Sequence, residues 1–597
     1  MPTAFLFPTT RVFFGKSVQN LREYRAIATS THCLDVHPAN YLAAPRRFVA
    51  TMSSLSSPVE RERVRTLNDP HANTKGSHVV YWMNNAVRVR HNPALEEAAH
   101  MAASMEQALR VIYLMDVTAQ DSQPLPERHT SFLLQGLADV AASLRQRKVP
   151  FVVLSPEAEA DVAIPAMAKD ASAVVTDASY LRPGIATRKR AARALQVPLI
   201  VVEADVVVPV ETATNKAEHA ARTIRPKINR LRDDFLEPLE QVALPYQEQG
   251  DGKWDVADDW LEDGRKTEDR IDHVDVKKHD DVLASLQGLD RGAPLVSSFK
   301  GGEKEAQEVL KTFLKERLRE YGPGRNEPSK QLQSDLSPYL RAGNISPVDI
   351  ALQTLDFAKD KKSGMKESLD SFLEELIVRR ELAANACWFN PDKYDAYEHI
   401  VPSFARASLE LHKADKRPTT YTYEELEAGL THDDYWNAAQ LEMVVRGKQH
   451  GYMRMYWVKQ IIGWVDDPAV AMDYGLRLNN RWELDAVDPN SYAGVIWCFG
   501  LHDQGWKERP IWGKVRYMND AGLKRKFNMA AYVAMVDRLI AEQGLPAHIA
   551  ALRKARGADR RQKTIDQTMK RKRKTSAAPS NKAAKESLLR SIKRLKE

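Results

Sequence analysis

Residues 79–117 read VVYWMNNAVRVRHNPALEEAAHMAASMEQALRVIYLMDV. The run VVYWM (79–83) is apolar without alternation. PALEEAAHMAASMEQAL (93–109) places its apolar residues at helical spacing, and RVIYLMDV (110–117) is again a continuous apolar run. Strand, amphipathic helix, strand describes a βαβ unit, and strands without polar alternation belong to a parallel sheet covered on both faces. The pattern continues through VPFVVLS (149–155), SAVVTD (172–177) and VPLIVVEA (197–204), with helical stretches ERHTSFLLQGLADVAASLRQR (127–147) and IATRKRAARAL (185–195) between them.

Residues 78–205 therefore read as one Rossmann-like, doubly wound parallel α/β domain. No G-x-G-x-x-G follows its first strand, so the usual dinucleotide cradle is absent. Gly322-Pro-Gly324-Arg-Asn-Glu327 lacks the third glycine and does not replace it. Residues 206–297 read as an interdomain linker with a helix over 214–239 and a charged, Gly/Asp-rich stretch at 247–281. From 298 to 546 helical periodicity dominates, as in KEAQEVLKTFLKERLREY (304–321), SPVDIALQTLDFAKD (346–360), ESLDSFLEELIVRRELAANA (367–386) and AAQLEMVVRGKQHGYMRMYWVKQIIGWV (438–465). This is an all-α domain large enough to enclose a cofactor.

The two ends differ from the body. Of the 597 residues, 551–597 carry 17 Lys+Arg against four Asp+Glu, including Lys570-Arg-Lys-Arg-Lys574, whereas 1–550 are net acidic. The segment 547–597 reads as a basic tail. Residues 1–77 read as a low-complexity extension, and 1–58, with 12 Ser+Thr and only Glu23 and Asp35 as acids, have the composition of an organellar transit peptide. Three scattered cysteines exclude a disulfide framework and a thiolate zinc site, and no apolar run is long enough to span a membrane. There is no G-x-x-x-x-G-K-[ST], H-E-x-x-H or G-x-S-x-G, which argues against phosphate-loop, zincin and α/β-hydrolase chemistry. Eight of the 11 tryptophans fall between Trp388 and Trp512.

That tryptophan-rich region is the most specific part of the chain. GKQHGYMRMYWVKQIIGW (447–464) and LNNRWELDAVDPNSYAGVIWCFGLHDQGWKERPIWGKVRYMNDAGLKRKFN (478–528) resemble the flavin-binding domain of class II cyclobutane pyrimidine dimer photolyases. The resemblance extends upstream through SFLEELIVRRELAANACWFNP (371–391), SDLSPYLRAGNIS (334–346) and HAARTIRPKIN (219–229) to VVYWMNNAVRVRHNPAL (79–95), and covers residues 78–535.

Trp457 and Trp464 are seven residues apart, about 10 Å along one helix, with Trp436 near the start of the preceding one. On spacing alone they read as packing residues. The resemblance implies an electron-transfer row from the surface to the flavin, with Trp457 innermost. It also implies that Arg454 and Asp503 form a charged pair beside the flavin and that Asn479 faces its N5. Asp485 would hydrogen-bond the flavin or its ribityl chain. Ser334, Leu336 and Ser337, with Tyr321 nearby, would receive the pyrophosphate of FAD. As bare sequence SDLSPYL is a helix N-cap with an early proline.

Glu375 is implied to face the lesion, where a carboxyl can hydrogen-bond a pyrimidine edge. Arg225, Met455 and Trp497 complete the implied pocket. Residues 507–526 hold seven Lys+Arg among aromatics, the composition of a phosphate-contacting, base-stacking surface. Trp506 and Arg516 are the expected DNA contacts. The chain departs from the family pattern at Asn480, often Asp; at Ala486, often Gly; and at Arg379, Trp in some relatives. CFGLHD (498–503) is one residue shorter than usual.

The expected activity is light-driven repair: reduced FAD, photoexcited, donates an electron to a flipped-out cyclobutane pyrimidine dimer in UV-damaged DNA. A second antenna chromophore, a deazaflavin or a folate, is expected in the α/β domain. The alternative is a cryptochrome-like blue-light signalling flavoprotein using the same flavin and tryptophans. No obligate protein partner is evident, so the chain reads as a monomer. The 1–58 segment points to a chloroplast or mitochondrion, and the basic tail to the nucleus.

Overall fold

The computed structural model describes residues 57–68, 76–115, 124–154, 159–246, 270–271, 279–359 and 364–557. The transit-peptide composition of 1–56 and the Lys570–Lys574 cluster lie outside them. Seven strands form one sheet: β1 (Val64–Thr66), β2 (His78–Met83), β3 (Ala108–Leu114), β4 (Phe151–Leu154), β5 (Ala171–Asp177), β6 (Leu199–Val202) and β7 (Arg270–Ile271). Their order is β1-β6-β5-β2-β3-β4-β7. The pairs from β6 to β4 are all parallel, whereas β1 and β7 close the two edges antiparallel.

The strands lack polar alternation because both faces are covered. Val79, Tyr81 and Met83 pack into one core with Leu95, Ala98, Leu134 and Leu137. Val80 and Trp82 enter another with Ile164, Met167, Ala191 and Leu195. Period-two side chains thus feed two helical layers from one strand, as a doubly wound sheet requires.

Chain order reverses between β2 and β5, where such sheets present a ligand crevice. Here Asp177, at the end of β5, fills it. Its carboxylate accepts the backbone N–H groups of Asn84 (2.8 Å), Asn85 (2.5 Å) and Ala86 (3.1 Å) and the Tyr81 hydroxyl (3.0 Å). The missing glycine cradle therefore has a structural counterpart: the donors that would meet a phosphate are satisfied internally.

The α/β body is larger than 78–205. Val59 is buried in the sheet's core and β1 pairs with β6, so part of the expected 1–77 extension is folded. The expected tail also begins later, because 547–557 is helical, Ile549 is fully buried, and Arg553 donates to the carbonyls of Ala428 and Gly429. The helix expected over 214–239 is confined to Ala221–Leu231, followed by one 3₁₀ turn. Its N-terminal flank is extended and held away from helical pairing, with the Glu218 N–H bonded to Asn385 Oδ1.

Two helical cores build the second domain, one around Trp436, Trp457, Trp464 and Trp482 and one around Phe313, Tyr321, Tyr339 and Phe372. Arg128, on the helix Glu127–Gln146, docks the α/β body onto the first. Its buried guanidinium donates to the carbonyls of Trp482 (2.8 Å), Val444 (2.9 Å) and Pro294 (3.0 Å) and lies 4.8 Å from the Trp482 ring centroid. Beside it, His129 Nε2 lies 2.7 Å from the Glu483 carbonyl. These contacts fix the ends of the helices Asp434–Arg446 and Pro468–Trp482, from which the site is built.

Candidate active site

A cleft of about 200 Å³ lies in the helical domain, lined among others by Tyr321, Ser334, Leu336, Ser337, Phe372, Glu375, Arg380, Arg454 and Asp485. Local sequence explains how these residues meet. Gly447, at φ +77°, ends the helix Asp434–Arg446 and lets the chain turn into the helix Gly451–Trp464, which carries Arg454. The Gly447 carbonyl accepts the Leu484 N–H at 2.7 Å, holding the segment Glu483–Asp485 against that turn. Asp335, itself left-handed at φ +60°, is clamped by Arg317 (2.8 Å) and Arg446 (3.1 Å), which sets the Ser334–Ser337 segment on the opposite wall.

Glu375 lies on a turn the sequence did not announce. The long helix expected over 367–386 is interrupted by a π-helical turn, Glu374–Arg379, between Lys366–Leu373 and Arg380–Trp388. Such turns shift the side-chain register within a continuous helix and are frequent at functional sites. Glu375 pairs with Arg325 at 3.0 Å, while its neighbour Glu374 is gripped by Arg225 through two bonds (2.9 and 2.7 Å) and by Arg379 (3.1 Å).

The electrostatic centre is Arg454. One of its terminal nitrogens reaches Glu483 (2.9 Å) and Asp485 (3.0 Å), and Asp485 also accepts the Ser337 hydroxyl at 2.7 Å. Burial pushes the Glu483 carboxyl up to about 8, with Asp485 adding to the rise and Arg454 opposing it. Burial acts the same way on Asp485, but Arg454, Lys448 and Ser337 outweigh it and hold that carboxyl below its ordinary value. Burial and Arg454 thus push these two neighbouring carboxyls in opposite directions, Glu483 up and Asp485 down. Burial also pushes the Tyr321 phenol up to about 12.

This differs from expectation in one pairing. Asp503 does not pair with Arg454. The chain turns after the helix Pro489–Trp497 through Gly500 (φ +108°) and His502 (φ +59°), and Asp503 accepts the Trp506 indole N–H at 3.2 Å instead. Glu483 takes the place beside Arg454, and it was missed. Nothing in Arg481-Trp-Glu-Leu-Asp485 sets Glu483 apart from the other charged residues of that segment. Ser337, expected at a phosphate, has its hydroxyl committed to Asp485. Leu336 is 1% exposed and contributes to the core as well as to the cleft wall.

The three tryptophans form a row. Trp457 and Trp436 stack at 5.9 Å between centroids, and Trp436 meets Trp464 edge-on at 5.3 Å. Trp436 thus fills the gap between the two indoles of one helix. Trp457 and Trp436 are fully buried and Trp464 is 6% exposed.

On the outer face, the Arg516 guanidinium lies 5.6 Å from the Trp497 ring and 4.9 Å from the Trp506 ring. Arg516 and Trp506 are exposed and Trp497 half-buried. Burial pulls the nearby His502 down to about 4, and the charge of Arg379 adds to that effect. Met455 is half-buried against the tryptophan core, its carbonyl 3.6 Å from Cys498 Sγ. Among the described residues no cluster could hold a metal ion, and no helix is long and apolar enough to cross a membrane.

The cleft fits a polar, aromatic cofactor. Arg454 Nε and Asn479 Oδ1 are buried without a hydrogen-bond partner, whereas buried polar atoms are ordinarily satisfied. Asn479, expected to face the flavin, is fully buried at the C-terminal turn of Pro468–Trp482, is not among the residues that line the cleft, and donates its amide N–H to Asn480 at 3.2 Å.

The family model for DNA photolyase matches residues 79–245. A deoxyribodipyrimidine photo-lyase of Methanothermobacter thermautotrophicus is 42% identical over 486 residues, covering 81% of this chain and all of the relative. A Synechocystis cryptochrome shares the fold with a TM-score of 0.58 at 15% identity, covering 79% of this chain and 90% of its own. An archaeal photolyase from Sulfolobus tokodaii, solved with two FAD molecules, does so at 0.56 and 14% identity, covering 80% and 94%. The chain belongs to the DNA photolyase family, as a light-driven DNA-repair lyase of the deoxyribodipyrimidine photo-lyase kind.

Proposed function

We propose that the protein opens cyclobutane pyrimidine dimers in UV-damaged DNA using reduced FAD held in the Arg454 cleft. The observation that carries this reading is the convergence of Tyr321, Ser337, Glu375, Arg454 and Asp485 on one cleft, where Arg454 Nε is buried without a hydrogen-bond partner. Bound there, reduced FAD would supply the photoexcitable electron donor.

The protein's own groups supply binding and electrostatics. Arg454 stays protonated and offers a negatively charged cofactor a buried cation, held in place by the carboxyls of Glu483 and Asp485. Asn479 can donate or accept at the cofactor as its charge changes. Glu375, on the same cleft wall, is placed to hydrogen-bond an extruded pyrimidine. The Trp497–Arg516–Trp506 group offers stacking faces and a cation to DNA opened around the lesion. Two arginines share the single carboxylate of Glu374, so that rim is net positive, which favours a phosphate.

A second chromophore, a deazaflavin or folate, belongs in this reading to the cleft beside β5 and β6. It is lined by Arg65, Ser179, Ile185, Arg188, Lys189 and Trp388, and Arg188 Nη2 is buried there without a hydrogen-bond partner. The two basic ends act as addresses, 1–58 for an organelle and the tail for the nucleus. Reporter fusions to each end separately test that assignment.

Absorption spectra before and after illumination, with an assay of dimer loss from irradiated oligonucleotide, test the main reading. Flavin bands with light-dependent dimer loss support it. A colourless protein refutes the cofactor, and flavin without repair replaces the lyase by a signalling flavoprotein.

A further inference from the structure

The tryptophans of the helical domain differ in their neighbours. Among the described residues no lysine or arginine lies over the rings of Trp436, Trp457 or Trp464, the three of the row. Trp482, by contrast, is covered by Arg128 and Arg481, Trp497 by Lys459 and Arg516, and Trp506 by Arg516. Lys459 stands out among these cations. It lies two residues after Trp457 on the helix Gly451–Trp464, is fully buried, and holds its Nζ 5.7 Å from the Trp497 ring centroid. The Arg516 guanidinium lies 5.6 Å from the same ring.

Among the described residues no carboxylate pairs with Lys459. Its ammonium donates instead to the backbone carbonyl of Cys498, which caps the C-terminus of the helix Pro489–Trp497. A helix C-terminus favours a cation, but burying an ammonium without a counter-ion still costs stability. Burial pulls Lys459 down to about 8; Cys498 and Asp503 oppose that shift and Arg516 adds to it. Trp497 is also a near neighbour of the cleft: Met455, next to Arg454 of the cleft wall, places its carbonyl 3.6 Å from Sγ of Cys498. An indole loses an electron from its π system, and a positive charge held against the ring opposes that loss. Where water is excluded the charge acts with little screening.

We propose that Lys459, with Arg516 over the same ring, acts through Trp497 to keep that indole out of the electron path, so that only the Trp436 row refills the flavin. The proposal rests on the flavin reading. The step it blocks is the transfer of one electron from the Trp497 indole to the oxidised, photoexcited flavin. That transfer would leave an indole radical cation at Trp497; no bond forms or breaks, no proton moves and no further reactant takes part. A radical there would stand beside Arg516 and Trp506, among the groups that meet DNA.

Flavin photoreduction and electron paramagnetic resonance on the flavin-loaded full chain, without DNA, test this in a Trp436→Phe background, where the row is cut. Trp436→Phe alone should leave the flavin nearly unreduced. Adding Lys459→Met should raise photoreduction roughly tenfold, with an indole radical that disappears when Trp497→Phe is added as well. Lys459→Gln, which keeps a donor for the Cys498 carbonyl, and Arg516→Gln, at the surface, should act in the same direction and decide the matter should Lys459→Met not fold. Photoreduction unchanged by these substitutions overturns the proposal, as does a new radical that survives Trp497→Phe. Undiminished photoreduction in Trp436→Phe itself overturns the row and the proposal with it, and a chain that binds no flavin overturns the reading on which both rest.

Discussion

The Trp436 and Trp457 rings lie within 11° of parallel, and Trp436 donates its indole N–H to the backbone carbonyl of Trp457 at 2.9 Å. Orientation and separation are thus locked by one hydrogen bond inside a fully buried cluster. Replacing Trp436 by Phe removes the middle of the row while leaving an aromatic filler. Light-driven reduction of the bound flavin should fall sharply, whereas repair by chemically pre-reduced enzyme should persist. The lost hydrogen bond and volume should cost about 2 kcal/mol in a denaturant titration.

Arg454 sits between two buried carboxyls, so its removal should be felt in folding and in cofactor retention. Arg454→Met leaves Asp485 without its cation, and the carboxyl must protonate or remain buried and unpaired. A loss of about 3 kcal/mol is expected, the lower range for breaking a buried pair. Flavin content after gel filtration should drop with it. Arg454→Lys keeps the charge but replaces the guanidinium, whose one Nη2 meets both carboxyls, by a shorter and more strongly hydrated ammonium, and should fall between wild type and Arg454→Met.

The parallel sheet, its two-layer coverage and most helices could be read from the sequence because they follow from periodicity: VVYWM, with no polar alternation, has to be covered on both sides, whereas periodicity says nothing of the strand order or of the antiparallel edges β1 and β7. The tryptophan row was legible only through resemblance, since residues 436, 457 and 464 carry no spacing that separates an electron path from core packing. Glu483 and the π turn at Glu374–Arg379 were not legible. A buried acid is recognised by the cation folded over it from another helix, and the apolar periodicity of 367–386 is the same whether or not one turn widens, so it cannot announce a π turn. Asp503 was misplaced because the conformations of Gly500 and His502 decide where that loop points.

Glu381 provides a pH signature at the junction of the two domains. It is buried, its Oε1 accepts the N–H groups of Val207 (2.6 Å) and Val208 (3.3 Å), and burial pushes its carboxyl up to about 8. The folded chain therefore keeps a proton that the unfolded chain releases above about 4.5. Its contribution is complete below that value and is lost as pH rises towards 8, by about 1.4 kcal/mol per unit inside the window. Glu381→Gln cannot titrate. Its urea midpoint should gain on wild type from pH 5 to pH 8, and parallel midpoints across that range would refute the assignment.

Arg516 and Trp506 are separable in DNA binding. Arg516→Ala should weaken binding to damaged and undamaged duplex alike and lower the salt slope by about one phosphate contact. Trp506→Ala should cost about 1–3 kcal/mol of binding through lost base stacking, leave the salt slope unchanged, and act chiefly on dimer-containing DNA. Fluorescence anisotropy at several salt concentrations distinguishes the two. Equal salt slopes for wild type and Arg516→Ala would remove Arg516 from the interface.

Gly343 joins the cleft to the sheet. It follows the helix Ser337–Arg341 at φ +71°, and an added Cβ would lie 1.7 Å from the Asn85 carbonyl oxygen in the loop after β2. That approach lets Arg88 donate to the Gly343 carbonyl and Asn344 to the Val87 carbonyl, both at 3.1 Å. Gly343→Ala combines the left-handed strain with a clash against backbone that cannot swing aside, for a total of about 3 kcal/mol. Gly288, at φ +75°, has nothing within 4 Å of the same added atom, so Gly288→Ala should show the strain alone, about 1 kcal/mol. Because Gly343 also holds the segment that carries Ser337, its variant should lose flavin at temperatures where Gly288→Ala retains it. Thermal unfolding followed by flavin release separates the two, and equal losses would mean that strain alone, without the contact to Asn85, accounts for Gly343.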